Sequence, residues 1–249
     1  MKTSIKGLIE IAREEGLVPA PYLDAVGVWT FGLGHAETSG LAPNPRNMPR
    51  GMPADLDGAI REAFRLFRDH LGVYERGVRK AVNVRMTQQQ FDACVSLCFN
   101  IGTGGFARSS VARHLNAGRV DKAATAFLAW NKGRVDGKLV RIEGLARRRA
   151  REKLIFETGR YPGGSVPVFS VSASNKPIYS RVVRQLSEAD VAEYLSARTA
   201  RPAPTRPTTP PRPPSAPQRP APAKKGFLAR LLDRLLSRVF PNIPGGGPS

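Results

Sequence analysis

The stretch REEGLVPAPYLDAVGVWTFGLGH, Arg13 to His35, holds two adjacent glutamates, one aspartate, one threonine and four glycines, and its reading decides the fold. Upstream, Ser4 can cap a helix whose apolar stripe is Ile5, Leu8, Ile9 and Ala12, at i, i+3, i+4 and i+7. Gly16 suits the left-handed residue that ends such a helix, so Glu15 is its last residue. The partial negative charge at a helix C-terminus disfavours an ionised carboxyl group there, a tendency that suits a general acid and does not serve stability. Pro19 and Pro21 forbid a continuing helix, and YLDAVGVWTFGLG reads as two short strands around a turn near Gly27. Alternation puts Val28, Thr30, Gly32 and Gly34 on one face of the second strand and Trp29, Phe31 and Leu33 on the other. The first face offers a hydroxyl beside two positions without side chains, which lets a bulky ligand approach the backbone. Asp24, just before the turn, is expected to be more exposed than Glu15, the asymmetry that separates acid from base in glycoside hydrolysis. Glu10 and Glu14 lie inside the helix and need only solvent. On local pattern alone, the same residues read equally as a helix end, a turn and an ordinary strand.

The rest of the chain narrows the classes. Its 249 residues carry 39 Lys plus Arg against 20 Asp plus Glu, a net charge of +19. Such an excess favours polyanionic partners, among them nucleic acid, anionic membranes and acidic cell-wall polymers. Cys94 and Cys98 are the only cysteines and have no metal-ligand spacing, so both are expected as reduced core residues. No metal site and no cofactor are expected. Glu10, Glu14 and Glu15 interrupt what a signal peptide would need as an apolar region, and no run of about 18 apolar residues suggests a membrane span.

Residues 1–159 carry apolar residues at helical spacing between turn residues and form the expected globular domain. Residues 160–198 contain a turn, RYPGG, an alternating run, VPVFSV, and a short helix, LSEADVAEYLSA, with Ser187 and Asp190 placed as a capping box. Residues 199–223 hold ten prolines in twenty-five positions, the composition of a disordered, extended linker. In 224–240, Phe227, Leu228, Leu231, Leu232, Leu235, Leu236, Val239 and Phe240 share one helical face and Arg230, Asp233, Arg234 and Arg238 the other. A basic amphipathic helix of this kind fits an anionic membrane or lipopolysaccharide surface, with self-packing or a partner protein as alternatives. Residues 241–249 are expected to be a flexible tail. The tail lacks interleaved aromatic residues for base stacking, so no nucleic-acid partner is expected.

Taken together, Glu15-Gly16, Tyr22-x-Asp24 and Gly27-x-x-Thr30-x-Gly32-x-Gly34-His35 resemble the active-site signature of the phage-type lysozymes, the endolysins of glycoside hydrolase family 24. In that signature Glu, Asp and Thr follow at offsets of nine and fifteen, as they do here. TQQQFDACVSLCFNIGTGGF, with Thr87 and Gln90 as a capping box, is similar to the family's central buried helix and following loop. Trp130 and GLARRRAREKLIFETG, Gly144 to Gly159, resemble the closing Trp and Arg-rich last helix of the lambdoid branch. Loop 36–53, AETSGLAPNPRNMPRGMP, departs from the family in length and proline content.

The resemblance implies a mainly α, α+β lysozyme-like domain with a small N-terminal hairpin sheet bordering a groove. It implies hydrolysis of the β-1,4 bond between N-acetylmuramic acid and N-acetylglucosamine in peptidoglycan, with Glu15 as general acid, Asp24 as the base that positions water and Thr30 assisting. Gly32, Phe99, Asn100 and Ser109 correspond to groove-facing, substrate-binding positions, and His35 is expected to be a structural hydrogen-bonding residue. The implied setting is a monomeric enzyme made in the host cytoplasm and released to the wall through a separate holin-like protein. A lytic transglycosylase would need the acid but not Asp24 or Thr30, and a non-catalytic wall- or membrane-binding protein would need none of the three.

Overall fold

The structure, a computed structural model, describes residues 1–24, 27–135 and 138–196. The expected linker 199–223, helix 224–240 and tail 241–249 lie outside them. The described residues form a mainly helical body with small antiparallel sheets, as expected. In chain order the body runs α1 (Ile5–Glu15), β1 (Val18–Leu23), β2 (Trp29–Gly32), β3 (His35–Ala36), α2 (Leu56–Ala81), α3 (Gln88–Ile101) and α4 (Thr103–Ala107). It continues with α5 (Ser110–Asn116), α6 (Val120–Ala126), β4 (Lys132–Val135), β5 (Lys138–Arg141), α7 (Glu143–Thr158), β6 (Val166–Val171), β7 (Pro177–Leu186) and α8 (Glu188–Ser196).

Local sequence sets the ends of the helices that matter most. Ser4 caps α1 by accepting the Gly7 N–H, and Gly16, at φ +64°, ends it. Thr87 and Gln90 open α3 with a reciprocal capping box. From Phe91 to Asn100 every residue of α3 is buried, so this helix is the axis around which α1, α2 and α7 pack. Cys94 and Cys98 sit in that core as free thiols, and burial pushes the Cys98 thiol up to about 12, which keeps it unreactive.

The N-terminal sheet has three strands, ordered β1-β2-β3, where the sequence suggested two. The third strand arises because the positive-φ glycines Gly32 and Gly34 turn the chain back within two residues, pairing Phe31 with His35 and Thr30 with Ala36. Loop 36–53 then folds against this sheet. The Arg50 guanidinium lies 3.6 Å from the Trp29 ring centroid, and Arg46 pairs with Glu37, whose carboxylate accepts the Trp29 N–H at 3.2 Å.

Residues 160–196 pack onto this body. Ser187 and Asp190 form the expected capping interaction of α8, with the Asp190 N–H donating to the Ser187 hydroxyl at 3.1 Å and the Ser187 N–H to the Asp190 carboxylate at 2.7 Å. Val166, Val168, Leu186, Val191 and Leu195 join the main hydrophobic core, and Tyr194 stacks on Phe64 at a centroid distance of 5.7 Å.

Candidate active site

Glu15 closes α1 and is 2 % exposed. Its Oε1 accepts a hydrogen bond from Arg148 Nη1 at 2.8 Å. Arg148, 1 % exposed on α7, also donates from Nε to Glu152 at 3.3 Å, and Glu152 accepts from Ser96 on α3 at 2.7 Å. Arg149 donates to Glu152 and to the Asn100 side-chain oxygen, each at 2.8 Å. Two carboxyl groups and two guanidiniums therefore share one dry cluster that ties α1, α3 and α7 together. Burial works against the charge on Arg148, but Glu15 and Glu152 outweigh it and hold its proton more firmly than usual. Arg149 is pushed down to about 10 by burial, which Glu152 only partly offsets. The sequence marks α7 as arginine-rich, and four arginines beside few apolar residues in a core helix are the one signal that some of them are buried as partners of carboxylates.

At the far end of β1, Asp24 and Thr30 meet on the backbone of Val28. The Val28 N–H donates to Asp24 Oδ1 at 2.8 Å, and the Asp24 N–H donates to the Val28 carbonyl at 3.0 Å. The Thr30 hydroxyl donates to that same carbonyl at 3.2 Å. Thr30 is fully buried and opposes Tyr22 across the β1–β2 pair. Asp24 is 5 % exposed, so the expected contrast in exposure with Glu15 is small; what separates the two is their partners, a guanidinium for one and turn backbone for the other.

The four expected groove positions each have an internal task as well. A Cβ on Gly32 would stand 2.7 Å from the Ala63 Cβ, so the absence of a side chain is required by α2. Phe99 packs between Phe67 and Tyr74, with centroids at 5.8 and 4.8 Å. Asn100 is occupied by Arg149, and Ser109 caps α5 by accepting the Ala112 N–H at 3.1 Å. His35 does take a structural part, with Nε2 2.7 Å from the Pro43 carbonyl oxygen.

Glu10 and Glu14 also depart from the sequence reading, since neither relies on solvent. Glu14 pairs with Arg151, while Glu10, 5 % exposed, accepts the Gly163 N–H at 2.6 Å and pairs with Arg13. Burial lifts the Glu10 carboxyl above the ordinary glutamate range, with the Gly163 N–H and Arg13 pulling it partly back. The folded chain then binds the Glu10 proton more tightly than the unfolded one, so this group's contribution to stability falls as pH rises through the ordinary value to the raised one. Glu10→Gln should flatten that part of the stability curve in thermal melts taken from the ordinary glutamate range upward in pH. An unchanged slope would contradict the assignment.

Among the described residues no cluster has the make-up of a metal site, and no helix is long and apolar enough to cross a membrane. The phage lysozyme family model matches residues 12–152. The endolysin of Acyrthosiphon pisum secondary endosymbiont phage 1 is 35% identical over 158 residues, covering 64% of this chain and 99% of that protein. The endolysin of Salmonella phage P22 is 35% identical over 156 residues, or 63% of this chain and 98% of its own. Among solved structures, an endolysin from Escherichia coli O157:H7 phage FAHEc1 superposes with a TM-score of 0.56 at 34% identity, covering 65% of this chain and 97% of that one. The acid-ended helix, the sheet that carries Thr30 and leads into Asp24, and these matches lead to one conclusion: the chain belongs to the phage lysozyme family.

Proposed function

We propose that the chain is an endolysin that hydrolyses the β-1,4 bond between N-acetylmuramic acid and N-acetylglucosamine, with Glu15 as general acid, Asp24 as general base and Thr30 assisting Asp24. The observation that supports this reading is a buried, guanidinium-gripped Glu15 at the end of α1, followed at the end of β1 by Asp24 and Thr30 held together on Val28. Glu15 gives its proton to the glycosidic oxygen as the C1–O bond breaks. Water attacks C1 from the opposite face and passes a proton to Asp24. The carboxylate left on Glu15 rests against Arg148, which stabilises the charge that develops on the acid as it reacts.

A water between substrate and Asp24 implies inversion at C1 and carboxyl groups about 6.5 to 9.5 Å apart. Proton NMR of purified peptidoglycan during digestion should show the α-anomer of the new reducing end first. The β-anomer first would replace this mechanism with a retaining one, and a 1,6-anhydro ring would identify a transglycosylase, which uses no water.

The reading extends to the setting: synthesis in the host cytoplasm, release through a separate holin-like protein, and contact of 224–240 with an anionic membrane or lipopolysaccharide surface. Lys224, Lys225, Arg230, Arg234 and Arg238 supply the charge for that contact. Each basic residue near an anionic surface contributes on the order of 1 kcal/mol, so deleting 224–249 should lower lysis of intact cells by about tenfold or more. Digestion of purified wall should stay close to wild type. Equal losses in both assays would argue against a surface role.

A further inference from the structure

We propose that residues 160–196, beyond the end of the family match at residue 152, are a positioning element that fixes Glu15 and Asp24 relative to each other. The proposal rests on the assignment of those two residues as acid and base. It starts from β1, the strand that joins them. On one side β1 pairs with β2 irregularly: Val18 opposes Gly32, and Tyr22 and Leu23 oppose Thr30 and Trp29, with a register shift between Val18 and Tyr22, where Pro19 and Pro21 have no N–H to give. The first half of the strand is loosely tied on this side, which leaves its other edge to hold it.

That edge is held by the β6–β7 hairpin at both ends. Two residues after Glu15, the Leu17 N–H donates to the Pro167 carbonyl at 2.9 Å and the Leu17 carbonyl accepts the Phe169 N–H at 2.7 Å. One residue before Asp24, the Leu23 N–H donates at 2.8 Å to the carbonyl of Asn175, in the turn between β6 and β7. Between these grips Val18, Ala20 and Tyr22 form an apolar cluster of their own with Phe169, Val171 and Tyr179. The Phe169 ring also lies against the end of α1, since a Cβ on Gly16 would stand 2.6 Å from it. On the α1 side, Glu10 and Arg13 hold the N–H and carbonyl of Gly163. The extension thus spans the whole interval from acid to base, and a displacement of about 1 Å in such a pair can cost on the order of a hundredfold in rate.

Phe169→Ala should lower kcat on soluble glycan strands by about tenfold or more, with KM within about twofold of wild type. Phe169→Leu, which refills most of the space, should recover most of the loss. Leu115→Ala in α5, a core truncation away from β1, should keep kcat near wild type when assayed below its melting temperature. If Phe169→Ala does not fold, Val171→Ala probes the same cluster more mildly and should show the same split between kcat and KM. A folded Phe169→Ala with wild-type kcat, or an equal kcat loss in Leu115→Ala, would overturn the positioning role. Glu15→Gln, assayed alongside, separates the two readings: an active Glu15→Gln overturns the site and this proposal together, while an inactive one beside a fully active Phe169→Ala overturns the proposal alone.

Discussion

Arg148→Ala should destabilise the protein by about 3 to 5 kcal/mol, the range for removing one partner of a buried ion pair. Arg148 is 1 % exposed and contacts Glu15, Glu152 and the Ser96 carbonyl, so truncation leaves a cavity and strips Glu15 of its guanidinium. Glu152 keeps Arg149 and Ser96, while Glu15 loses the hydrogen bond from Arg148. Urea unfolding of the single and double variants isolates that cause. Glu15→Gln and Arg148→Ala alter the same contact, so the double variant should be less destabilised than the sum of its parts. Strict additivity, or a loss under about 1 kcal/mol for Arg148→Ala, would show that the cluster does not hold the helix end as described.

How much of this was legible in the sequence differs from element to element. The end of α1 could be read because Ser4 and Gly16 are local devices, and the family signature added Asp24 and Thr30 at fixed offsets. The capping boxes of α3 and α8 were equally local. The third strand was not readable, because two residues carry no periodicity and their pairing follows from the conformations of Gly32 and Gly34. The internal partners of Phe99, Asn100 and Ser109 were not legible for a different reason. A polar or aromatic residue at a helix end looks the same in sequence whatever it packs against, and the partners here are Phe67, Arg149 and the α5 backbone.

Long-range partners were the largest gap. Arg148 lies 133 residues from Glu15 and Gly163 lies 153 from Glu10, so neither pairing leaves a local trace. Treating Glu10 and Glu14 as solvent-facing followed from the same blindness. The sequence placed both inside a helix, while the burial comes from the extension and from α7. The extension's turn, strand and helix were visible as local features, but not their attachment along β1, since backbone hydrogen bonds to Leu17 and Leu23 depend on no side chain that a pattern could reveal.

The central claim is that Glu15 supplies the proton that breaks the glycosidic bond, and Glu15→Gln tests it most directly. The amide is nearly isosteric and its oxygen can still accept from Arg148, so circular dichroism should show the wild-type fold. It cannot act as an acid at neutral pH, and loss of general acid catalysis is worth about a hundredfold to ten-thousandfold in rate. In a turbidity assay on purified peptidoglycan, the account predicts that wild type clears the suspension while folded Glu15→Gln leaves it essentially unchanged; clearing at the wild-type rate would contradict it.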